Sequence, residues 1–160
     1  MSNFVMRPIG YVRGGRDKVV DDGWAQVEST VEFDPDQLDP TAFEGLESFS
    51  HVEVIYVFDR VDPEDVCRGK RHPRGREDWP EVGILAQRAK DRPNRIGVTV
   101  CTLRSVGKMH IEVAGLDAVD GTAVLDVKPY MTGFAPRGQV HEPSWAQELM
   151  GDYWVAEAGK

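Results

Sequence analysis

From Gln26 to Phe33 the chain alternates with a period of two. Val27, Ser29, Val31 and Phe33 share one parity, and Gln26, Glu28, Thr30 and Glu32 the other. Successive side chains of a strand point to opposite faces, so this pattern fits a half-buried β-strand and no helix. It returns from His51 to Phe58, where Val52, Val54, Tyr56 and Phe58 fall together. It returns again from Ile96 to Leu103, with Val98 and Val100 opposite Thr99 and Cys101. Ile111, Val113 and then Val124 to Val127 flank Asp120-Gly121, a strong hairpin-turn signal. Short strands with turn formers between them predict a mostly β protein, a small antiparallel β-barrel whose closure removes exposed edges. The 160 residues are read as one domain, 1–160. A domain of that size buries about 70% of its unfolded surface and needs no covalent staple.

One or two short helices complete the expectation. Asp36 to Leu46 places Leu38, Phe43 and Leu46 at helical spacing, with Pro40 near the start. Glu142 to Met150 has Pro143 near the first turn, a capping box from Ser144 to Gln147, and Gly151 as a stop. Trp145, Leu149 and Met150 then share a face. Residues 61–80 read as a long loop rich in proline, glycine and charge, a length that usually marks function or disorder.

Cys67 and Cys101 form no CxxC, which fits one loop thiol and one buried strand thiol in a reducing compartment. Met1 to Arg7 contains no secretory pattern, so a cytoplasmic location is expected. The apolar run Val54 to Phe58 is too short to span a bilayer, and no membrane association is expected. The four histidines lack paired ligand spacing, so no metal is expected. There is no phosphate-loop or dinucleotide fingerprint and no nucleophile elbow. The net charge of −8 is unfavourable for nucleic-acid binding, but it is unevenly spread. Residues 68–95 carry Arg68, Lys70, Arg71, Arg74, Arg76, Arg88, Lys90, Arg92 and Arg95 against four acids, a local excess of +5. That segment could steer an anionic partner, or could be a solvated loop of surface ion pairs.

Three clusters could carry chemistry. In Arg92-Pro93-Asn94-Arg95-Ile96-Gly97 the proline fixes the backbone and Asn94 tolerates left-handed geometry. Arg92 offers a planar donor fork, and Gly97 admits close approach. The same residues also suit a plain turn entering a strand. Asp117 could accept hydrogen bonds from an amine or ribose hydroxyl, and Asp120 could be structural. Asp126, Lys128 and Tyr130 share parity, as a polar site or as a solvent face. Asp21-Asp22-Gly23-Trp24 sets carboxylates beside an indole, which suits a cation such as a sulfonium, or an acidic loop with one anchoring ring.

Seven segments in order resemble one family: Ile9-Gly10, Glu44-Gly45-Leu46-Glu47-Ser48-Phe49-Ser50-His51, His72-Pro73-Arg74-Gly75, Val82 to Arg88, Arg92-Pro93-Asn94-Arg95-Ile96-Gly97, Leu116 to Thr122 and Asp126-Val127-Lys128-Pro129-Tyr130. They are similar to the TrmO-like (TsaA-like) S-adenosylmethionine-dependent methyltransferases, in a short single-domain form. The similarity runs over roughly residues 7–131. Arg95 stands where the family usually carries a proline. The resemblance implies a β-barrel rather than a Rossmann-type methyltransferase, S-adenosylmethionine as cofactor, and a homodimer. It implies N6-methylation of threonylcarbamoyladenosine beside the tRNA anticodon, with tRNA held by segment 68–95. It assigns cofactor contacts to Asp22, Gly23, Trp24, Asp59, Arg60, Arg88, Val98, Ala114, Gly115, Leu116 and Asp117. Arg92, Asn94, Lys128 and Tyr130 would position the acceptor. The alternatives are a methyltransferase of a small molecule, or a non-catalytic module binding S-adenosylmethionine or RNA.

Overall fold

A computed structural model describes residues 1–156. Eight strands and one α-helix make up the fold: β1 (Gly10–Arg13), β2 (Glu28–Phe33), β3 (His51–Val57), β4 (Lys70–Arg71), β5 (Val82–Gly83), β6 (Ile96–Val106), β7 (His110–Ala114), β8 (Ala123–Pro129) and α1 (Ser144–Met150). Six strands close an antiparallel barrel in the order β1-β2-β7-β6-β3-β8, with β8 returning to β1. β4 and β5 form a separate two-stranded ribbon.

The alternation in β2 and β3 becomes the barrel interior. Ser29, Val31 and Phe33 point inward from β2, and Val52, Val54 and Tyr56 from β3. Val12, Ile111, Val113, Leu116 and Val124 join them in one buried cluster. β6 inverts the apolar expectation, because its inward parity is Gly97, Thr99 and Cys101. Tyr56 explains this choice. It pairs with Gly97 across the β3–β6 ladder, and a Cβ at Gly97 would sit 2.5 Å from the Tyr56 ring. The glycine gives the ring its space, and Val98 and Val100 turn outward.

β1 is the closing strand. It pairs with β2 from Gly10↔Phe33 to Arg13↔Thr30, and with β8 only through Gly10↔Val124 and Tyr11↔Ala123. Ile9 N–H and Val12 N–H donate to the carbonyls of Val124 and Thr122 and extend that short seam. Gly10 lies so close to β2 that a methyl group there would collide with the Glu32 carbonyl.

Several expectations need correction. Residues 36–46 do not form an α-helix. Asp39 caps a single 3-10 turn, Pro40–Phe43, through Thr41 N–H at 2.9 Å. Gly45, at φ 88°, stops it before a second turn at Leu46–Ser48. Pro40 removes a backbone donor and a left-handed glycine breaks the run, so no stretch is long enough to propagate. Asp120-Gly121 turns the chain, with Gly121 at φ 85°, but does not make a β7–β8 hairpin. The strands it joins pair elsewhere, β7 with β2 and β6, and β8 with β1 and β3. Helix α1 exists with Pro143 at its N-cap, yet the capping box does not form. Segment 61–80 is organised by 3-10 turns at Pro63–Asp65 and Pro73–Gly75 and by the β4–β5 ribbon. Buried Gln87 braces it by donating to the carbonyls of Arg71 and Val82 at 3.1 and 2.9 Å. No helix is long and apolar enough to cross a membrane among the described residues.

Candidate active site

A cleft of about 1420 Å³ lies between the outer face of β6, the 71–92 segment and the α1 region. Tyr56, Thr99 and Asp117 lie at its floor, and the outward side chains Ile96, Val98 and Val100 of β6 line one wall. Residues from the 71–92 segment cover a second side, and Trp145, Leu149, Met150, Tyr153 and Trp154 a third. The face of α1 expected from spacing thus serves as a cleft wall.

Asp117 is the polar centre. Leu116 and Ala118 are buried on either side of it, which fixes the backbone and leaves the carboxylate half-buried. Its Oδ1 accepts from the Tyr56 hydroxyl at 2.9 Å and from the Thr99 hydroxyl. Its Oδ2 accepts from the Tyr153 hydroxyl. Burial and then the Asp117 charge push both tyrosines well above the ordinary phenol range. The same two causes raise the Cys101 thiol to about 12, so it is no nucleophile at neutral pH. The sign of the linkage follows. Above pH 10 the unfolded chain releases these phenolic protons and the folded chain keeps them, so stability falls as pH rises. A tyrosinate absorbance titration should therefore leave Tyr56 and Tyr153 silent until the protein unfolds in alkali. Full titration of all four in a chain that keeps its native circular dichroism would contradict this arrangement.

The remaining cofactor-contact residues divide into groups. Trp24 is 3% exposed and lines the cleft, but its ring face already carries the Arg16 guanidinium, 4.6 Å from the ring centroid. Arg16 also donates to the Asp22 and Gly23 carbonyls at 2.6 and 2.9 Å. The Asp22 carboxylate pairs with Arg74 at 2.9 Å. The cationic partner expected beside Asp22 and Trp24 is therefore supplied by the chain itself. Asp21 and Asp117 are among the carboxylates that line the cleft with Trp24, whereas Asp22 is not. Asp22 and Gly23 line a smaller hollow with Asp152 and Val155. Arg88 and Val98 line the cleft together, joined by an Arg88 Nη2 bond to the Val98 carbonyl at 2.8 Å. Asp59 and Arg60 are at its rim. Arg60 is committed to loop carbonyls, Asp17 at 2.6 Å and Asp120 at 3.0 Å. Ala114, Gly115 and Leu116 are buried and carry the chain to Asp117, with Gly115 at φ 80°.

The four expected acceptor residues are not gathered at one point. Arg92 lines the cleft, and its Nη1 donates to the Gln87 carbonyl at 2.6 Å. Asn94 is exposed at φ 64°, the left-handed geometry its type allows. Lys128 pairs with Asp126 at 2.7 Å and lies opposite Glu53, a residue of the cleft margin. Tyr130 follows β8 and bonds the His51 carbonyl through its backbone N–H at 3.0 Å. Tyr56, Thr99 and Tyr153 are site residues that sequence reasoning missed. The first two carried a faint signal, polar-tipped side chains at inward parity in otherwise apolar strands. Among the described residues no cluster of His, Cys, Asp or Glu could hold a metal ion.

The basic segment is largely occupied. Arg71 pairs with Asp91, Arg76 with Asp78 and Lys70 with Glu81, while Arg95 donates to the Val61 carbonyl. Arg68 and Lys90 are exposed.

Residues 21–135 match the family described as the tRNA-methyltransferase O N-terminal domain. A probable S-adenosyl-L-methionine-binding protein of Methanothermobacter thermautotrophicus is 36% identical over 132 residues, 78% of this chain and 88% of that protein. The tRNA (adenine(37)-N6)-methyltransferase of Escherichia coli is 35% identical over 56% of this chain and 40% of its own length. The human enzyme of the same name is 37% identical over 62% of this chain and 22% of its own. The chain thus spans less than half of these two enzymes. The crystal structure of TrmO from Pseudomonas aeruginosa superposes with a TM-score of 0.70 at 27% identity, covering 88% of this chain and 62% of that one.

Proposed function

The chain belongs to the family of the tRNA-methyltransferase O N-terminal domain, and from that premise we propose that it is an S-adenosylmethionine-dependent methyltransferase acting on adenine N6 in tRNA. The observation that carries the reading is Asp117, a caged carboxylate at the floor of a cleft large enough for a nucleoside cofactor. The lining fits such a group: Asp117 as a fixed anionic acceptor, indoles from Trp24, Trp145 and Trp154, apolar side chains of β6, and Arg88 among several charged residues. When bound, S-adenosylmethionine supplies an electrophilic methyl group. The chain's own part is alignment and exclusion of water. Asp117 Oδ2 accepts a hydrogen bond from the cofactor, and Tyr56 and Thr99 fix the carboxylate plane. Trp24, Val98 and Val100 keep water from the reacting centre. Arg88 and Arg92 line the same cleft and would contact the remainder of the cofactor or the acceptor, while Ala114, Gly115 and Leu116 act by placing Asp117.

The finer reading is that the acceptor is threonylcarbamoyladenosine beside the anticodon, and that the protein works as a cytoplasmic homodimer. A second reading has one observation in its favour. The archaeal relative that this chain matches over most of its length is named only for binding S-adenosyl-L-methionine, which suits a binding module or a different methyl acceptor.

The test is incubation with labelled cofactor and bulk tRNA, followed by mass spectrometry of the nucleosides. A methylated adenosine derivative is expected, and label confined to metabolites would move the acceptor to a small molecule. RNA binding should weaken with salt at a log–log slope of about −0.7 to −0.9 per phosphate contact. Arg68→Glu is the informative charge reversal, since Arg68 is exposed outside the cleft whereas Arg71 and Arg74 brace the loop. It should reduce RNA affinity and spare cofactor affinity.

A further inference from the structure

The segment after α1 lies beyond the family-matched residues 21–135, yet it reaches the centre of the cleft. Three attachments hold it. Gly23 N–H and Trp24 N–H donate to the carbonyls of Asp152 and Tyr153 at 3.2 and 2.9 Å. Trp79 Nε1 donates to Glu148 at 2.8 Å, with the Trp79 and Trp145 rings 6.4 Å apart. The third is the Tyr153 hydroxyl on Asp117 Oδ2. No residue of α1 itself is buried, so the segment is retained by these contacts rather than by a core.

A segment so placed either plugs the site or walls it. The cleft volume decides between these. About 1420 Å³ remains with the segment seated, beyond the 300–1,000 Å³ typical of small-molecule pockets. Nothing has to leave for a nucleoside-sized ligand to enter. The valence of the carboxylate agrees. Its two oxygens offer about four acceptor positions. Tyr56 and Thr99 take two on Oδ1, and Tyr153 takes one on Oδ2. One position on Oδ2 is left.

We propose that Tyr153 is a positioning residue for the cofactor, holding Asp117 Oδ2 so that its remaining acceptor position faces the cleft, and that the segment Trp145–Trp154 stays seated as a wall of the loaded site. The inference rests on the cofactor reading above. It adds residues that the matched family segment does not contain, and it makes Tyr153 and Asp117 a single unit.

The test pairs amide hydrogen exchange with calorimetry, using S-adenosylmethionine on the full chain and on Tyr153→Phe. The variant keeps the ring and removes only the hydroxyl. In the wild-type protein, added cofactor should slow exchange at the Trp24 amide, which bonds the Tyr153 carbonyl. The variant should bind about tenfold more weakly, the loss expected for one hydrogen bond to a charged acceptor. With an acceptor that turns over, KM for the cofactor should rise while kcat holds, whatever fall in melting temperature accompanies the lost hydrogen bond. A merely structural tyrosine would move the melting temperature and leave KM alone. Faster exchange at Trp24 on loading, or variant binding as tight as wild type or tighter, would overturn the inference and make the segment a plug. Wild-type protein that gives no binding heat would instead bring down the cofactor reading, and this inference with it.

Discussion

Asp117→Ala should abolish measurable S-adenosylmethionine binding and also destabilise the fold. Three hydroxyls converge on this carboxylate, and when it goes Tyr56, 1% exposed, keeps only longer contacts of 3.3 Å to the residue 117 carbonyl and the Thr99 hydroxyl. A buried donor left without its partner costs about 1–3 kcal/mol. With Thr99 and Tyr153 sharing the loss, a total near 3 kcal/mol is expected, or about 6–12 °C in Tm for a domain of this size. Asp117→Asn keeps one carbonyl acceptor and should recover part of the stability without recovering binding. Asp36→Ala, at an exposed turn position, is the control and should change neither. Calorimetry and thermal melts on the three variants decide the matter. Normal cofactor heat from Asp117→Ala would remove Asp117 from the site.

Gly10→Ala should be the most damaging substitution away from the cleft. The added methyl meets the Glu32 carbonyl, a backbone atom that cannot rotate aside as a side chain would. Strand β1 would have to retreat from β2, and it holds only a short seam with β8 on its other edge. Overpacking usually costs about 1–3 kcal/mol, and a rigid neighbour places this case at the upper end. The expected result is a fall of roughly 10 °C in Tm, with β1 amides losing exchange protection before the rest of the barrel. A wild-type melting curve would show that β1 has slack in its seam.

The strands were readable because each barrel strand has one face against the core, and period two survives in sequence wherever that holds. β2 and β3 follow their alternation residue by residue. β6 follows the period but not the polarity, because a tyrosine on its neighbour fills the inward space and an apolar cleft covers its outer face. Pattern alone cannot tell a core from a cleft wall. Residues 36–46 misled for a different reason: Leu38, Phe43 and Leu46 keep helical spacing although two 3-10 turns present them. Asp120-Gly121 was legible as a turn but not as a crossover, since pairing partners are set by barrel closure. At the site, Asp117 stood out beside a turn signal. Its partners Tyr56, Thr99 and Tyr153 come from 61, 18 and 36 residues away, and no local pattern links them. Beside Asp22 and Trp24 stand two cations of the chain itself, Arg74 on the carboxylate and Arg16 on the ring, and spacing does not encode the loop geometry that brings them there.

The strand order has a consequence for how the molecule comes into being. β1 begins at Gly10 and borders β8, which ends at Pro129. A chain emerging from the ribosome therefore carries two unfinished sheet edges from the time β1, β2 and β3 are made until β8 follows. Closure then joins segments over a hundred residues apart, the kind of long-range pairing that folds in milliseconds to seconds rather than microseconds. During that interval the open edges of β1 and β3 are exposed to neighbouring chains. Yield at high expression rates should accordingly respond to growth temperature and chaperone supply more steeply than the stability of the closed barrel would suggest.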